Sequence, residues 1–195
     1  GATMHPQVDY GAYTYTTTGP WAANPAEVIN YVSCHDNLTL WDKLLTTCPN
    51  ATEKELLAMN RLGASVVFAS QGIPFFLSGE EFGRTKPIEG SDELCENSYN
   101  MPKFTNNIRY DAAYAHRALI DYYRGLIAFR KAHPALRFET AEQVRMQLHF
   151  DNTTPDNVVA FWIETPEETV YVALNANWET KKAALPLDGR FQVYV

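Results

Sequence analysis

The run Tyr31-Val32-Ser33-Cys34-His35-Asp36-Asn37 sets an imidazole beside a carboxylate at the end of a short β-branched and aromatic stretch, Val28 to Ser33. A carboxylate can stabilise a cationic, oxocarbenium-like transition state, and a neighbouring imidazole can hydrogen-bond a sugar hydroxyl. If the stretch is a strand of a parallel sheet, its carboxyl end is the edge where ligand-binding and catalytic groups collect. His35, Asp36 and Asn37 also read as a polar turn after a strand, and position alone leaves both readings open.

A second short apolar run, Ile73 to Leu77, closes on Ser78-Gly79-Glu80-Glu81. Glu81 there is either a cleft carboxylate or a structural acceptor at a strand end, and Arg84 and Lys86 either neutralise these acids or meet a ligand. The loop Glu96-Asn97-Ser98-Tyr99-Asn100 carries amide and phenol groups that hydrogen-bond and stack on sugars, although Asn-rich loops are also ordinary turns. Trp41 divides in the same way between a sugar platform and a packed helix residue. Neighbouring residues of a strand face opposite sides, so Cys34 beside His35 reads as a buried structural thiol rather than a nucleophile.

The elements that must position these groups are read from periodicity. Val28 to Ser33 lacks strict alternation, as a strand covered on both faces does. Thr52-Glu53-Lys54-Glu55 matches a capping box, and Leu56, Met59, Leu62, Val66 and Val67 continue it at helical steps until Gln71-Gly72-Ile73-Pro74. Strand, helix and strand make a βαβ unit of a parallel sheet. Leu119, Ile120, Tyr123, Leu126 and Ile127 mark a further helix that stops at Arg130-Lys131-Ala132-His133-Pro134. Beyond Pro134 the period becomes two, predicting strands at Val144 to Phe150, Val158 to Ile163, Val170 to Leu174 and Phe191 to Val195. The segment Gly1 to Pro25, rich in Tyr, Thr, Gly and Pro, reads as loop.

The chain has 195 residues, of which 46% are hydrophobic, enough for a real core. A net charge of −7 and no Lys/Arg cluster argue against nucleic acid or an anionic membrane surface as partner. No stretch reaches the roughly 20 apolar residues of a membrane helix, so no membrane insertion is expected. Gly1 to Trp21 does not have the layout of a signal peptide. The chain therefore reads as soluble. An extracellular, periplasmic or cell-surface, or cytoplasmic setting depends on residues upstream of Gly1. Cys34, Cys48 and Cys95 have neither disulfide-framework nor zinc-site spacing and read as free thiols.

Taken as a string, Ile29-Asn30-Tyr31-Val32-Ser33-Cys34-His35-Asp36-Asn37-Leu38-Thr39-Leu40-Trp41-Asp42-Lys43-Leu44 closely resembles the fourth conserved region of the α-amylase superfamily in its type I pullulanase form. Three further segments reinforce the resemblance in the right order. They are residues 70 to 86, which contain Ser78-Gly79-Glu80-Glu81-Phe82-Gly83-Arg84-Thr85-Lys86, then Asn97-Ser98-Tyr99-Asn100, and then Tyr122 to Pro134. Most relatives carry Gln where Glu80 stands and a bulky residue where Gly83 stands.

The resemblance implies α/β plus all-β architecture: strands seven and eight of a (β/α)8 barrel with their helices in residues 1–134, then a truncated antiparallel β-sandwich in 135–195. It implies that Asp36 is the transition-state stabiliser and His35 a substrate-binding histidine. It puts Asn37, Glu81, Arg84, Asn97, Tyr99 and Asn100 among substrate contacts. The implied parent enzyme cleaves α-1,6 branch points of pullulan, starch or glycogen by a retaining mechanism. That mechanism needs two carboxyls about 5 to 5.5 Å apart. The nucleophile and general acid belong to strands four and five, upstream of Gly1, so the isolated chain is expected to be inactive. Its partners are then an α-glucan and the remainder of its own barrel. No cofactor is implied; calcium is possible in the parent protein, but no site for it is identifiable in these residues. The alternatives are a non-catalytic glucan-binding or barrel-completing module and an α-1,4-specific relative.

Overall fold

The structure, a computed structural model, describes residues 5–9, 22–185 and 187–194. Strand β1 (Ile29–Asn30) pairs in parallel with β2 (Ile73–Pro74), with Ile29 opposite Ile73. The Ile73 amide donates to Val28 O and the Phe75 amide to Asn30 O, while Pro74, which has no N–H, falls between them. The two strands are thus much shorter than the runs Val28 to Ser33 and Ile73 to Leu77 predicted. Each runs on into loop, so Cys34 is half-buried and outside the strand, its thiol directed to Asp36 O at 4.0 Å, rather than a buried strand residue. All three cysteines are free.

Between β1 and β2 the chain makes two helices, α1 (Leu40–Thr47) and α2 (Glu53–Ala69). Thr39 caps α1 by accepting from the Asp42 amide at 3.1 Å. The expected capping box of α2 is formed: Glu55 Oε2 accepts from the Thr52 amide at 2.7 Å, and Thr52 Oγ1 from the Glu55 amide. The polar stretch after β2 holds two short helices, α3 (Lys103–Asn106) and α4 (Asp111–Ala115), and leads to α5 (Arg117–Ala132). Ala64 and Phe68 of α2 close a core with Leu119 and Tyr123 of α5. Burying side chains of this size stabilises by about 1.5–3 kcal/mol each. Arg130, read from sequence as a stop signal for its own helix, instead reaches the end of α2. Its guanidinium donates to Phe68 O (2.8 Å), Ser70 O (2.8 Å) and Gly72 O (2.6 Å).

After Pro134 the chain enters an antiparallel sheet in the order β3 (Leu148–Phe150), β4 (Val158–Glu164), β5 (Thr169–Asn175). Ile163 pairs with Leu148 on one side and Val170 on the other. The strand predicted from Val144 to Phe150 is helix over most of its length: α6 spans Ala141–Gln147. Thr140 and Gln143 form a second capping box, and Ala141 and Val144 bury one helical face, whereas Met146 is exposed. Alternation of Val144, Met146 and Leu148 mimicked a strand because the helix is barely two turns long. Phe191 to Tyr194 form no strand, and Val195 lies outside the described residues.

Val144, Leu148, Phe161, Ile163 and Val170 make a second core, against which Ala69 and Phe129 pack from the helical part. Most of the predicted loop Gly1 to Pro25 lies outside the described residues. Within it, Gln7 caps the free edge of β3, donating to Phe150 O at 3.1 Å and accepting from the Phe150 amide at 2.8 Å. No described helix is long and apolar enough to cross a membrane.

Candidate active-site cleft

The loop from Tyr31 to Thr39 carries the candidate residues, and it is shaped from beneath. Ser33 is buried and donates to Glu80 Oε2 at 2.5 Å. Asn37 takes a left-handed conformation, φ 59°, which Asn tolerates better than most residues. Thr39 Oγ1 donates to Arg84 O at 2.7 Å, tying the loop's end to the segment after β2. His35 and Asp36 emerge into solvent, Nε2 to Oδ2 3.3 Å apart, with side chains 84% and 63% exposed.

A cleft of about 190 Å³ opens over this pair, lined by His35, Asp36, Leu77, Arg84, Lys86, Ser98, Tyr99 and Asn106. Of the residues proposed from sequence, His35, Asp36, Arg84 and Tyr99 share this wall. Asn37, Glu81, Asn97 and Asn100 do not line it. Glu81 acts as the structural acceptor, its Oε2 receiving the Gly79 amide at 2.9 Å. Trp41 packs on the His116 ring, centroids 5.2 Å apart, outside the cleft. Among the described residues, Asp36 is the only carboxylate in the lining.

The cationic side is held by backbone oxygens rather than by ion pairs. Arg84 donates to Ser78 O at 3.0 Å and Asn106 O at 2.9 Å, and burial lowers its guanidinium pKa from the usual value. Asn106 in turn donates to Ser98 O at 2.8 Å and Met101 O at 3.1 Å, bracing the loop that carries Tyr99. Lys86 is almost wholly buried, and desolvation pushes its ammonium pKa down, partly offset by Cys95 and Asp42. Below the cleft, burial pushes the Glu80 carboxyl up against the pull of its hydrogen bonds from Ser33 and Tyr123.

Sequence reading left Lys86 open between neutralising the nearby acids and meeting a ligand, and it passed over Leu77, Ser98 and Asn106. The fold had to bring residues 98–106 against residues 77–86 before these could be seen. Among the described residues, no group of three or more His, Cys, Asp or Glu side chains is placed to hold a metal ion.

No protein-family model matches the chain. The pullulanase of Bacillus subtilis (strain 168) is 35% identical over 138 residues, covering 71% of this chain and 18% of that protein. Among solved structures, the pullulanase of Paenibacillus barengoltzii in complex with maltohexaose and α-cyclodextrin aligns with a TM-score of 0.74 at 42% identity. That alignment covers 83% of this chain and 25% of the other. The type I pullulanase of Bacillus subtilis str. 168 complexed with maltose aligns with a TM-score of 0.79 at 30% identity, covering 92% and 25%. The chain thus spans about a fifth to a quarter of the length of the relatives it matches. Across that span, by sequence and by backbone alike, the chain belongs to the type I pullulanase family of glycoside hydrolases.

Proposed function

We propose that this chain is part of a debranching enzyme that hydrolyses α-1,6-glucosidic linkages in pullulan, starch or glycogen with retention. Asp36 stabilises the oxocarbenium-like transition state and His35 binds the sugar being cleaved. The observation that carries this reading is the cleft in which His35 and Asp36 meet Arg84 and Tyr99. The relatives solved with maltohexaose and maltose support a glucan as its occupant. Tyr99, 81% exposed, offers a ring for a sugar to stack on. Asn37, Glu81, Asn97 and Asn100 do not line the cleft.

Retaining hydrolysis needs a second carboxyl about 5 to 5.5 Å from the first to attack or to protonate. With Asp36 the only acid among the described residues of the cleft wall, the nucleophile and general acid come from elsewhere in the enzyme, and the chain by itself is inactive. Residues 1–134 are then the closing part of a (β/α)8 barrel and 135–195 the start of a β-sandwich domain. Parallel pairing of β1 with β2 and antiparallel pairing of β3 to β5 support that division.

The test is Asp36→Asn in the full-length protein. Loss of at least about 10³-fold in kcat on pullulan, with unchanged unfolding, is expected for removing a transition-state charge partner. Wild-type turnover in that variant rejects the role given to Asp36. Titration of the isolated chain with maltotriose separates half a cleft, which binds weakly, from a self-sufficient binding module. A preference for linear over branched substrate assigns the enzyme to α-1,4 cleavage.

A further inference from the structure

Among the described residues, the side chains of His35 and Asp36 have no polar partner but one another, so their aim depends on the backbone beneath them. Ser33 and Thr39 anchor the two ends of that loop to Glu80 and Arg84, and between them one side chain from another element supports the backbone. Lys86 Nζ donates to His35 O at 3.3 Å, to Asn37 O, and to Glu96 O at 3.3 Å. Among the described residues, no other hydrogen bond ties the carbonyls of residues 35–37 to a second element. The ammonium's three protons thus meet three acceptors, two in the Asp36 loop and one at the root of the loop bearing Tyr99.

Lys86 is itself fixed. Its amide donates to Asp42 Oδ2 at 2.9 Å, Thr85 Oγ1 donates to Asp42 Oδ1 at 2.5 Å, and its carbonyl accepts the Cys95 amide at 2.8 Å. Asp42 is fully buried in the first turn of α1. The chain of contacts runs from a capped helix through Lys86 into both loops of the cleft, and it supports the left-handed bend at Asn37.

We propose that Lys86 is a positioning residue for catalysis, a three-way ammonium clamp that sets Asp36 against the sugar and locks the Asp36 and Tyr99 loops together. This rests on the α-glucan hydrolase reading above. Released from the clamp, the Asp36 carboxylate loses its placement without losing its charge. A displacement near 1 Å is enough to cost about 100-fold in rate.

The experiment is a double-mutant cycle in the full-length enzyme, with kcat and KM on pullulan for wild type, Lys86→Met, Asp36→Asn and the double variant. Lys86→Met is expected to lower kcat about 100-fold with a much smaller change in KM, and to cost under about tenfold more once Asp36 is already Asn. Lys86→Arg, which keeps charge and donors, is expected to recover part of kcat. An unchanged kcat in Lys86→Met, or the same loss in both backgrounds, overturns the clamp. If Lys86→Met does not fold, Lys86→Gln takes its place in the cycle with the same expected coupling. An inactive wild type, or an undiminished Asp36→Asn, instead rejects the underlying reading, so the two failures are distinguishable.

Discussion

Ser33 and Glu80 lie in hydrogen-bond contact at 2.5 Å, joining the loop that ends in His35 and Asp36 to the turn after β2. Tyr123 donates to the other Glu80 oxygen at 3.0 Å, and the Asn60 side-chain amide donates to the Glu80 carbonyl at 3.3 Å. No cation pairs with this buried carboxyl among the described residues, and desolvation raises its pKa above the ordinary 4.5. The folded state therefore holds the proton more tightly than the unfolded chain. The stability contributed at this site is fully present below about pH 4.5 and is lost as pH rises through the raised folded value.

Glu80→Gln removes that titration while keeping the network, because an amide oxygen still accepts from Ser33 and the amide nitrogen can donate to the Tyr123 hydroxyl. The variant is expected to gain stability relative to wild type as pH rises from mildly acid to mildly alkaline. Chemical unfolding of the full-length protein at several pH values measures it. Parallel pH profiles for the two proteins contradict the assignment.

Gly83 answers to its neighbours. Its φ is +73°, and a Cβ there meets His116 Nδ1 and Trp41 Cδ2 at 3.1 Å. The His116 ring is held between Phe82 O and Glu53 Oε1, each 2.9 Å away, and cannot move aside freely. Trp41 and His116 occupy the space that a side chain at this position would take. Gly83→Leu is expected to destabilise by more than about 1 kcal/mol, read as a lowered melting temperature. A neutral or stabilising effect shows that the His116 ring yields.

Arg130 substitutes for a cap at the end of α2. Replacing it with Met leaves the carbonyls of Phe68, Ser70 and Gly72 without their charged donor in a buried place. A loss of about 3 kcal/mol or more is expected, and Arg130→Lys should recover only part of it because one ammonium lacks the guanidinium's fork. Denaturant unfolding of both variants tests the order.

The exposed face of the parallel pair predicts the behaviour of the chain alone. Ile29 (58% exposed), Tyr31 (54%), Ile73 (46%) and Phe75 (41%) stand together, with the Tyr31 and Phe75 rings edge to face at 6.0 Å. Among the described residues no further strand pairs with this sheet, and an apolar face beside an open strand edge seeks a partner. Sedimentation of the isolated chain is expected to show self-association that charged replacements at Ile29 and Phe75 reduce. A monodisperse monomer at high concentration contradicts this.

Long, strongly patterned elements were legible before any coordinates. The capping box at Thr52 and the apolar steps from Leu56 marked α2, and Leu119 and Tyr123 marked the buried face of α5. The strands at Val158 and Val170 were evident from alternation. Short elements were not legible. In α6 a seven-residue helix shows the same apolar spacing as a strand, and only the Thr140 to Gln143 cap distinguishes it. The parallel pair was overextended because an apolar run reports burial, not the number of ladder bonds.

By itself the sequence determined the residue types: an imidazole and a carboxylate in tandem, the caps, the apolar faces and the family likeness. Tertiary structure decided which polar groups meet. Nothing in the spacing of Lys86 places its ammonium under the carbonyls of His35, Asn37 and Glu96, nor sends Glu81 to its own turn while Glu80 goes under Ser33. Such contacts join loops 47 and 49 residues apart, and their geometry is set by how α1, α2 and α5 pack. The physical reason is that local pattern encodes burial and capping within a few residues, whereas a buried charge must be satisfied by whatever oxygens the whole fold brings within reach.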